Sequence, residues 1–526
     1  MMPRSFDPLA VELWSQQLTG AAEEMGAALE RTAHSPNIKD RLDYSCALFN
    51  AGGLLIAQAA HIPVHLGAMP LMMAALRMTI RWSPGMMIVC NDPRHGGTHL
   101  PDLTVVAPVY ADGRIAGFAA SRAHHADIGG MSPGSLPLST ELYQEGLILP
   151  PVCLMRRGEI QPDVVSILCA NSRTPAERRG DIMAQVAAVQ TGVRRLSGIL
   201  ADFGREEFDR RCAENVRYAE ALIRAAVKRL TPGIYQAEDV LDSDGQGQRD
   251  ITIRVRVDVD TQGFISFDFG GSALQVRGSL NATEAITYSA CAYAVRCVAG
   301  PDTPTNAGCF QAMRVSAPAG SVVNADFPAA VAAGNVETSQ RIVDVIFQAL
   351  AKAAPHLIPA CSQGTMNNIT IGGYDSLRGR PFAYYETVCG GAGAAEEYAG
   401  HDAIHTHMTN TRNTPVEILE STYPLRVQEY RIRENSGGDG EFPGGCGVVR
   451  TIELLCDCTF TLCCERVDHA PPGLNGAGDG AAGQCEICLP GGEFEAAPGK
   501  WSRILPAGTV LRVGTPGGGG WTERAS

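Results

Sequence analysis

Hydrophobic positions in the first 230 residues follow the period of helices in some segments and that of strands in others. Over residues 7–33 they recur every three or four positions among Glu and Gln, which predicts an amphipathic helix that ends before Pro36. Around the Asn-Ala-Gly-Gly turn at residues 50–53, two short apolar segments predict a β-hairpin over 45–58. On the same grounds we predict a helix over 68–82, a strand over 85–90, a second hairpin over 105–120 and two long helices over 174–230, broken near Gly204.

The pattern changes after about residue 231. Strict alternation of apolar and polar residues predicts strands over 252–259 and 264–269, and helical periodicity returns over 283–298 and 339–353. Beyond residue 434 the chain is rich in glycine and holds only short alternating segments, which is typical of an all-β region with many turns.

These elements predict a large mixed α+β fold. Its N-terminal half is rich in helices and hairpins, and its C-terminal part is β-rich and Gly-rich. We expect residues 1–230 to form one region with long helices, and residues 231–526 to form a mixed to β-rich region packed on it. No flexible linker separates the two, so together they are expected to make one unit.

Composition and charge narrow the classes of function. Of 526 residues, 45% are hydrophobic and 19% are charged, which excludes a disordered or fibrous chain. The net charge of −13 argues against nucleic acid and anionic membranes as partners. The first residues lack the apolar core of a signal peptide, and no apolar run approaches the length of a membrane span. We therefore expect a cytoplasmic protein whose 17 cysteines are reduced.

Histidine is concentrated in one part of the chain, since seven of the 12 lie between residues 34 and 125. His99 and Asp102 flank a turn that contains proline, and the predicted hairpin brings His124 back beside Asp102. Two imidazoles and one carboxylate that converge in this way are typical of a catalytic divalent metal site. The alternative is a polar network in which the histidines donate hydrogen bonds to backbone carbonyls.

Asp43 is a further carboxylate candidate, because it directly precedes the first predicted strand. It would equally serve as a helix cap or as an ion-pair partner of Arg41. Its local sequence alone favours these structural roles.

Several short motif matches do not point to function. Residues 130–134 fit the G-x-S-x-G pattern of hydrolases, but Pro133 lacks the N–H that this turn must supply to an oxyanion. Residues 478–483 fit G-x-G-x-x-G without a preceding strand, and the P-loop motif is absent from the sequence. Cys485 and Cys488 have the spacing of zinc ligands, but they follow an apolar β-rich run in which thiols behave as buried hydrophobes.

Longer motifs spread over almost the whole chain resemble the hydantoinase B/oxoprolinase family. They occur in the family's order at residues 61–67, 91–93, 96–102, 122–130, 334–341, 408–417 and 515–520. The resemblance implies the B subunit of an ATP-dependent cyclic amide hydrolase that opens a hydantoin, 5-oxoproline or lactam ring. It also implies a partner, the hydantoinase A/oxoprolinase ATPase subunit, which binds ATP and Mg and phosphorylates the substrate.

Two other functions remain open alongside this one. The family also includes subunits of ATP-dependent ketone carboxylases that act on acetone or acetophenone. A non-catalytic assembly role, with a purely structural histidine-rich segment, is the third alternative.

The resemblance also assigns roles to single residues. It implies that His99, Asp102 and His124 bind a divalent metal, Zn or Mn, and that Asp43 is a fourth ligand. His125 and Asp127 are the implied catalytic residues, acting on the orientation of the ligands or in proton transfer. For His125 a buried, hydrogen-bonded histidine with no catalytic role is an equal alternative.

Overall fold

A computed structural model describes residues 7–59 and 62–523. His61, which belongs to the first family-like motif, lies outside the described residues. In chain order the helices are α1 (Pro8–Thr32), α2 (Pro36–Lys39), α3 (Ala68–Thr79), α4 (Pro162–Ala170), α5 (Pro175–Phe203), α6 (Arg205–Val227), α7 (Glu284–Ala299), α8 (Gly308–Gln311), α9 (Ser339–Leu350) and α10 (Val416–Thr422).

The strands extend along both halves of the chain. In the N-terminal half they are β1 (Tyr44–Asn50), β2 (Leu55–Gln58), β3 (Met87–Cys90), β4 (Asp102–Ala111), β5 (Arg114–His124), β6 (Val152–Arg156) and β7 (Glu159–Ile160). Those of the C-terminal half are β8 (Gly233–Ser243), β9 (Arg249–Val259), β10 (Ile265–Asp268), β11 (Met313–Ser316), β12 (Asn368–Asp375), β13 (Arg380–Thr387), β14 (Leu425–Ile432), β15 (Val448–Leu454), β16 (Cys458–Cys463), β17 (Gln484–Cys488), β18 (Phe494–Ala496), β19 (Lys500–Leu505) and β20 (Val510–Gly514).

The N-terminal half is built on a seven-stranded sheet in the order β2-β1-β5-β4-β3-β6-β7. The helices α1 and α5 pack together on one of its faces and enclose a hydrophobic core that includes Leu18, Val105 and Ala119. Proline at the first position of α1 and the Asp7 carboxylate, which accepts a hydrogen bond from the Ala10 N–H, fix where that helix begins.

The opposite face of this sheet belongs to a larger core that continues into the C-terminal half. Phe49 and Val106 of the sheet share that core with Met72 of α3, Ile253 of β9 and Val343 of α9. A four-stranded sheet in the order β11-β10-β9-β8 lies against α9 there. Because side chains from both halves fill one core, the face of the first sheet opposite α1 and α5 is closed off from water.

Two further sheets form the C-terminal part. Their orders are β13-β12-β16-β19 and β14-β15-β20-β17-β18. Ile369 and Phe460 of one sheet share a core with Ile452 and Leu511 of the other, as in a β-sandwich.

The α+β class and most of the predicted elements are confirmed. The predicted break near Gly204 separates α5 from α6, because Gly204 has φ 74°, a conformation that glycine adopts at little cost. The predicted second hairpin is longer than expected at both open ends. The boundary near residue 231 stays a prediction. Among the described residues, no helix combines the length and the apolar character needed to cross a bilayer.

Candidate metal centre

The hairpin formed by β4 and β5 positions two of the predicted site residues. Its strands pair Ala111 with Arg114 next to the turn, and a β-bulge then shifts the register by one residue. As a result Asp102, the first residue of β4, lies directly opposite His124, the last residue of β5. Side chains of such a pair project from the same face of the sheet.

The neighbouring strand brings Asp43 into the same row. β1 pairs with β5 so that Tyr44 lies opposite Ala123, and the His124 N–H donates a 3.0 Å hydrogen bond to the Asp43 carbonyl. The Asp43 carboxylate lies 4.0 Å from His124 Nδ1. Three adjacent strands thus present two carboxylates and an imidazole between them.

His99 lies in the loop that precedes β4. The Asn91 side chain holds this loop, since its amide donates to the Leu100 carbonyl at 2.7 Å and to the Leu147 carbonyl at 2.9 Å. The ring of His99 is then fixed by a 3.3 Å contact between Nδ1 and the Ala332 carbonyl, which leaves Nε2 facing the hairpin.

The three residues converge at a single point. His99 Nε2 lies 3.2 Å from His124 Nδ1 and 3.3 Å from Asp102 Oδ1, and His124 Nδ1 lies 3.6 Å from the same oxygen. Ligands of a tetrahedral zinc ion are separated by about 3.3 Å, given metal–ligand bonds of about 2.0–2.1 Å. All three side chains are buried, and Asp102 Oδ1 accepts no hydrogen bond from the described residues. This donor set fits a divalent cation.

The buried groups of the cluster differ in the direction of their pKa shifts. Burial opposes ionisation of Asp102, but the imidazoles of His99 and His65 outweigh it and hold the pKa of that carboxyl well below its usual range. Burial lowers the pKa of His124 to about 4, so its ring is neutral at neutral pH. An ionised carboxylate and a neutral imidazole are the forms in which these two residues ligate a metal. Burial opposes protonation of His99, but Asp102 outweighs it and raises the pKa of that ring, so a metal would have to displace a proton from His99. For Asp43, burial raises the pKa to about 7.

Two residues that the sequence reasoning did not assign hold the second oxygen of Asp102. Thr98 Oγ1 donates to Asp102 Oδ2 at 2.6 Å, and His65 Nε2 lies 3.3 Å from the same atom. The other ring nitrogen of His65 contacts Ser45 Oγ at 2.9 Å. Both residues could have been found from the sequence, because His65 and Thr98 lie within the family-like motifs.

Asn335 was also not assigned, although it lies in a further family-like motif. Its side-chain nitrogen lies 3.2 Å from His99 Nε2, and its Oδ1 is buried without a hydrogen bond to the described residues. It belongs to a π-helical turn, Gly334–Thr338, that directly precedes α9. A side chain at Gly334 would collide with the Asn281 carbonyl, so glycine lets the turn approach closely.

A narrow cavity of about 20 Å³ opens beside the cluster and is walled by both halves of the chain. The ring of Tyr385 stacks on His124 with centroids 4.7 Å apart, and its hydroxyl donates to Asn368 at 3.0 Å. The buried guanidinium of Arg41 lies over the ring of Tyr385, 4.9 Å from its centroid, and donates to the Tyr385 carbonyl at 2.7 Å. These contacts fix one wall of a small, buried site.

The structure does not bring His125 and Asp127 into this cluster. His125 follows His124 and faces the other side of the sheet, where Nε2 lies 2.9 Å from Gln185 Oε1 of α5. Asp127 is buried in a loop and accepts hydrogen bonds from the backbone of Gly134 and from Arg173. Both sets of contacts are structural, and a catalytic role for either residue stays a prediction.

Comparison with known proteins identifies the family of the chain. A family model described as hydantoinase B/oxoprolinase matches residues 7–524. An uncharacterized protein of Methanocaldococcus jannaschii is 38% identical over 521 residues, which is 98% of this chain and 90% of that protein. 5-oxoprolinase 1 of Arabidopsis thaliana is 37% identical over 551 residues, with 98% of this chain matched. The chain spans only 42% of the length of that relative.

Two solved structures share the fold. The crystal structure of an ATP-dependent caprolactamase from Pseudomonas jessenii has a TM-score of 0.91 at 27% identity, covering 99% of this chain and 93% of that one. A nucleotide-free acetone carboxylase also gives a TM-score of 0.91, at 16% identity over 99% of this chain and 76% of that one, which shows the fold alone. From the extent of the family match and these identities, the chain belongs to the hydantoinase B/oxoprolinase family.

Proposed function

We propose that this chain is the B subunit of an ATP-dependent cyclic amide hydrolase, which opens a hydantoin, 5-oxoproline or lactam ring at the His99–Asp102–His124 cluster. The observation that carries the proposal is the convergence of three buried ligand atoms within 3.2–3.6 Å of one another. The similarity to a 5-oxoprolinase and to an ATP-dependent caprolactamase supports this substrate class.

The chemistry of the site suits an activated amide. A cyclic amide resists water at neutral pH, and phosphorylation of its carbonyl oxygen supplies a good leaving group. A divalent cation, Zn or Mn, held by these three residues with Asp43 beside them would act as a Lewis acid and lower the pKa of water. The protein's own contribution is to orient the Asp102 carboxylate through Thr98 and to hold the three side chains in a buried position.

The phosphorylation step is assigned to a partner. Because the chain spans 42% of the Arabidopsis 5-oxoprolinase, that relative contains further sequence with no counterpart here. We propose that a hydantoinase A/oxoprolinase-type subunit supplies the corresponding function, with ATP and Mg bound there and not by this chain. The complex is expected to be a cytoplasmic hetero-oligomer.

The test compares a double variant in the cluster with a matched pair elsewhere. Elemental analysis should find about one equivalent of Zn or Mn in the wild-type chain and none in His99→Ala/Asp102→Ala. His469 and Asp250 form an exposed pair with a 2.7 Å contact, so His469→Ala/Asp250→Ala should keep the metal. With the partner co-expressed, ATP-dependent ring opening should follow metal content.

Three results would contradict the proposal. Equal metal content in the wild type and the cluster variant would remove the metal site. Turnover that requires bicarbonate and a ketone would instead identify a ketone carboxylase subunit. A cluster variant that loses stability but keeps turnover would indicate a structural role only.

A further inference from the structure

The narrow cavity beside the metal cluster has room for a single water molecule. Its volume is about 20 Å³, and roughly 10–15 Å³ is needed to hold one water. The described residues that line it include Asp102 and His124 but not His99, so the cavity adjoins the cluster on one side. A water in this cavity would therefore lie next to the proposed reaction centre.

Two buried polar atoms of residues that line this cavity make no hydrogen bond to the described residues. One is Oδ1 of Asn335, a residue that is 4% exposed, and the other is Nε2 of His124. The His124 ring directs Nδ1 at the cluster, so the tautomer that binds a metal through Nδ1 carries its proton on Nε2. The wall thus contains one acceptor and one donor without protein partners, and such groups are usually satisfied by ordered water.

The backbone around Asn335 is held firmly. In the π-helical turn that contains it, the Gly334 N–H donates to the Ser279 carbonyl at 2.9 Å, and the Ser339 hydroxyl donates to the Asn335 carbonyl at 2.7 Å. The side-chain nitrogen lies 3.2 Å from His99 Nε2. The lone pair of that ring nitrogen cannot serve an amide and a metal ion at once, so metal binding would free the whole amide for a water. Turns of this type are frequent at functional sites.

We propose that Asn335 and His124 Nε2 hold the hydrolytic water of the ring-opening reaction in this cavity. The inference rests on the proposed function, which requires a water beside the metal cluster. Asn335 Oδ1 accepts a hydrogen bond from the water, and the His124 Nε2–H donates one to the water oxygen. One lone pair of that oxygen stays free for the substrate carbon. Because Asn335 contacts a reacting molecule, it is a catalytic residue and not a metal ligand.

The atoms of the reaction step balance with water as the only further reactant. Phosphorylation of the ring carbonyl oxygen leaves a carbon–nitrogen double bond in the ring. The water oxygen bonds to that carbon, the bond between carbon and nitrogen breaks, and both water protons end on the nitrogen. The products are an acyl phosphate and an amine, and a second water releases the phosphate.

A crystal structure of the metal-loaded chain tests the water site independently of activity. We expect one ordered water within about 3.2 Å of Asn335 Oδ1, and none there in Asn335→Leu, which fills a similar volume without polar atoms. Anomalous scattering separates a water from a metal ion. An empty cavity in the wild type, or a metal ion in direct contact with Asn335, would overturn the proposal. Since the wild type alone can give either result, the test does not depend on the folding of a variant.

Kinetics of the chain with its partner test the catalytic role, with hydantoin, 5-oxoproline and caprolactam as substrates. Asn335→Leu should lower kcat for ATP-dependent ring opening about a hundredfold at unchanged KM and metal content, because misplacing a reacting group by about 1 Å costs that much. Asn335→Asp keeps an acceptor oxygen and should restore most of the rate. Asn171→Leu, at an exposed asparagine that follows α4, is the matched control and should behave like the wild type.

The outcomes distinguish this proposal from the proposed function. Wild-type rates in Asn335→Leu would refute the role of Asn335 and leave ring opening itself intact. Loss of metal from Asn335→Leu would make Asn335 a ligand and would refute that role as well. A wild-type complex that opens none of the three rings would instead overturn the proposed function, and the hydrolytic role of the water with it.

Discussion

Replacing His65 should weaken metal binding although His65 is not itself placed among the ligands. Its Nε2 contacts Asp102 Oδ2, while Asp102 Oδ1 faces His99 and His124. His65 therefore orients the Asp102 carboxylate through the oxygen that does not face His99 and His124. We predict that His65→Phe, which conserves a buried ring, lets the Asp102 carboxylate rotate away from the ligand position.

The size of the effect follows from the hydrogen bonds that remain. A hydrogen bond to a charged group contributes about 1.5–3 kcal/mol, and each 1.4 kcal/mol corresponds to about a tenfold change in affinity. The 3.3 Å contact of His65 is long, and the 2.6 Å bond from Thr98 remains in the variant. The single substitution should thus cost about tenfold in metal affinity, and His65→Phe/Thr98→Val about a hundredfold.

Competition with a chromophoric chelator measures these affinities directly. His95 provides the control, since its Nδ1 lies 3.4 Å from Asp92 Oδ2 in the same stretch of chain but outside the cluster. His95→Phe should bind metal like the wild type. If His65→Phe and the double variant also retained wild-type affinity, Asp102 would not be oriented through its second oxygen, and the inferred support of the metal site would be wrong.

Three further substitutions test other parts of the structure. Burial raises the pKa of Glu337 from 4.5 to about 8, so between these pH values the folded state keeps a proton that the unfolded chain releases. The free energy of unfolding should therefore fall as the pH rises from 4.5 to about 8. Urea titrations at several pH values should show this fall in the wild type and a flatter dependence in Glu337→Gln. His125→Phe loses the hydrogen bond to Gln185 and should cost about 1 kcal/mol in stability at unchanged metal content, whereas loss of turnover alone would support a catalytic role. Leu18→Ala in the buried face of α1 should cost about 2–5 kcal/mol, measured by chemical denaturation.

Much of the fold could be predicted because its elements carry strong local signals. The period of α1, the break at Gly204 and the β4–β5 hairpin all depend on neighbouring residues. Sheet partners across the chain could not be predicted, since nothing local to β12 specifies that it pairs with β16. The same holds for the shared core, where Phe49 and Val343 meet only through the tertiary fold.

In the candidate site, too, residues connected by local sequence could be predicted, whereas residues brought together by the tertiary fold could not. His99, Asp102 and His124 were found because a short turn and one hairpin connect them. The local sequence offered two structural roles for Asp43, a helix cap or an ion-pair partner of Arg41. Neither reveals the pairing of β1 with β5 that puts Asp43 beside His124. Asn335 reaches the cluster from a turn more than two hundred residues away, which no local spacing reveals.

Strand register does more to define this site than any motif. Counting evenly from the Ala111–Arg114 pair would put Ala123 opposite Asp102, with His124 beyond the paired strands. The bulge next to Val109 adds one residue to β5, and His124 takes the opposing position instead. Because successive residues of a strand face opposite sides, the same register directs His124 towards the metal cluster and His125 towards Gln185 and α5. Two adjacent histidines in one motif thus lie in different environments, His124 in the candidate metal centre and His125 in the packing of the sheet against α5.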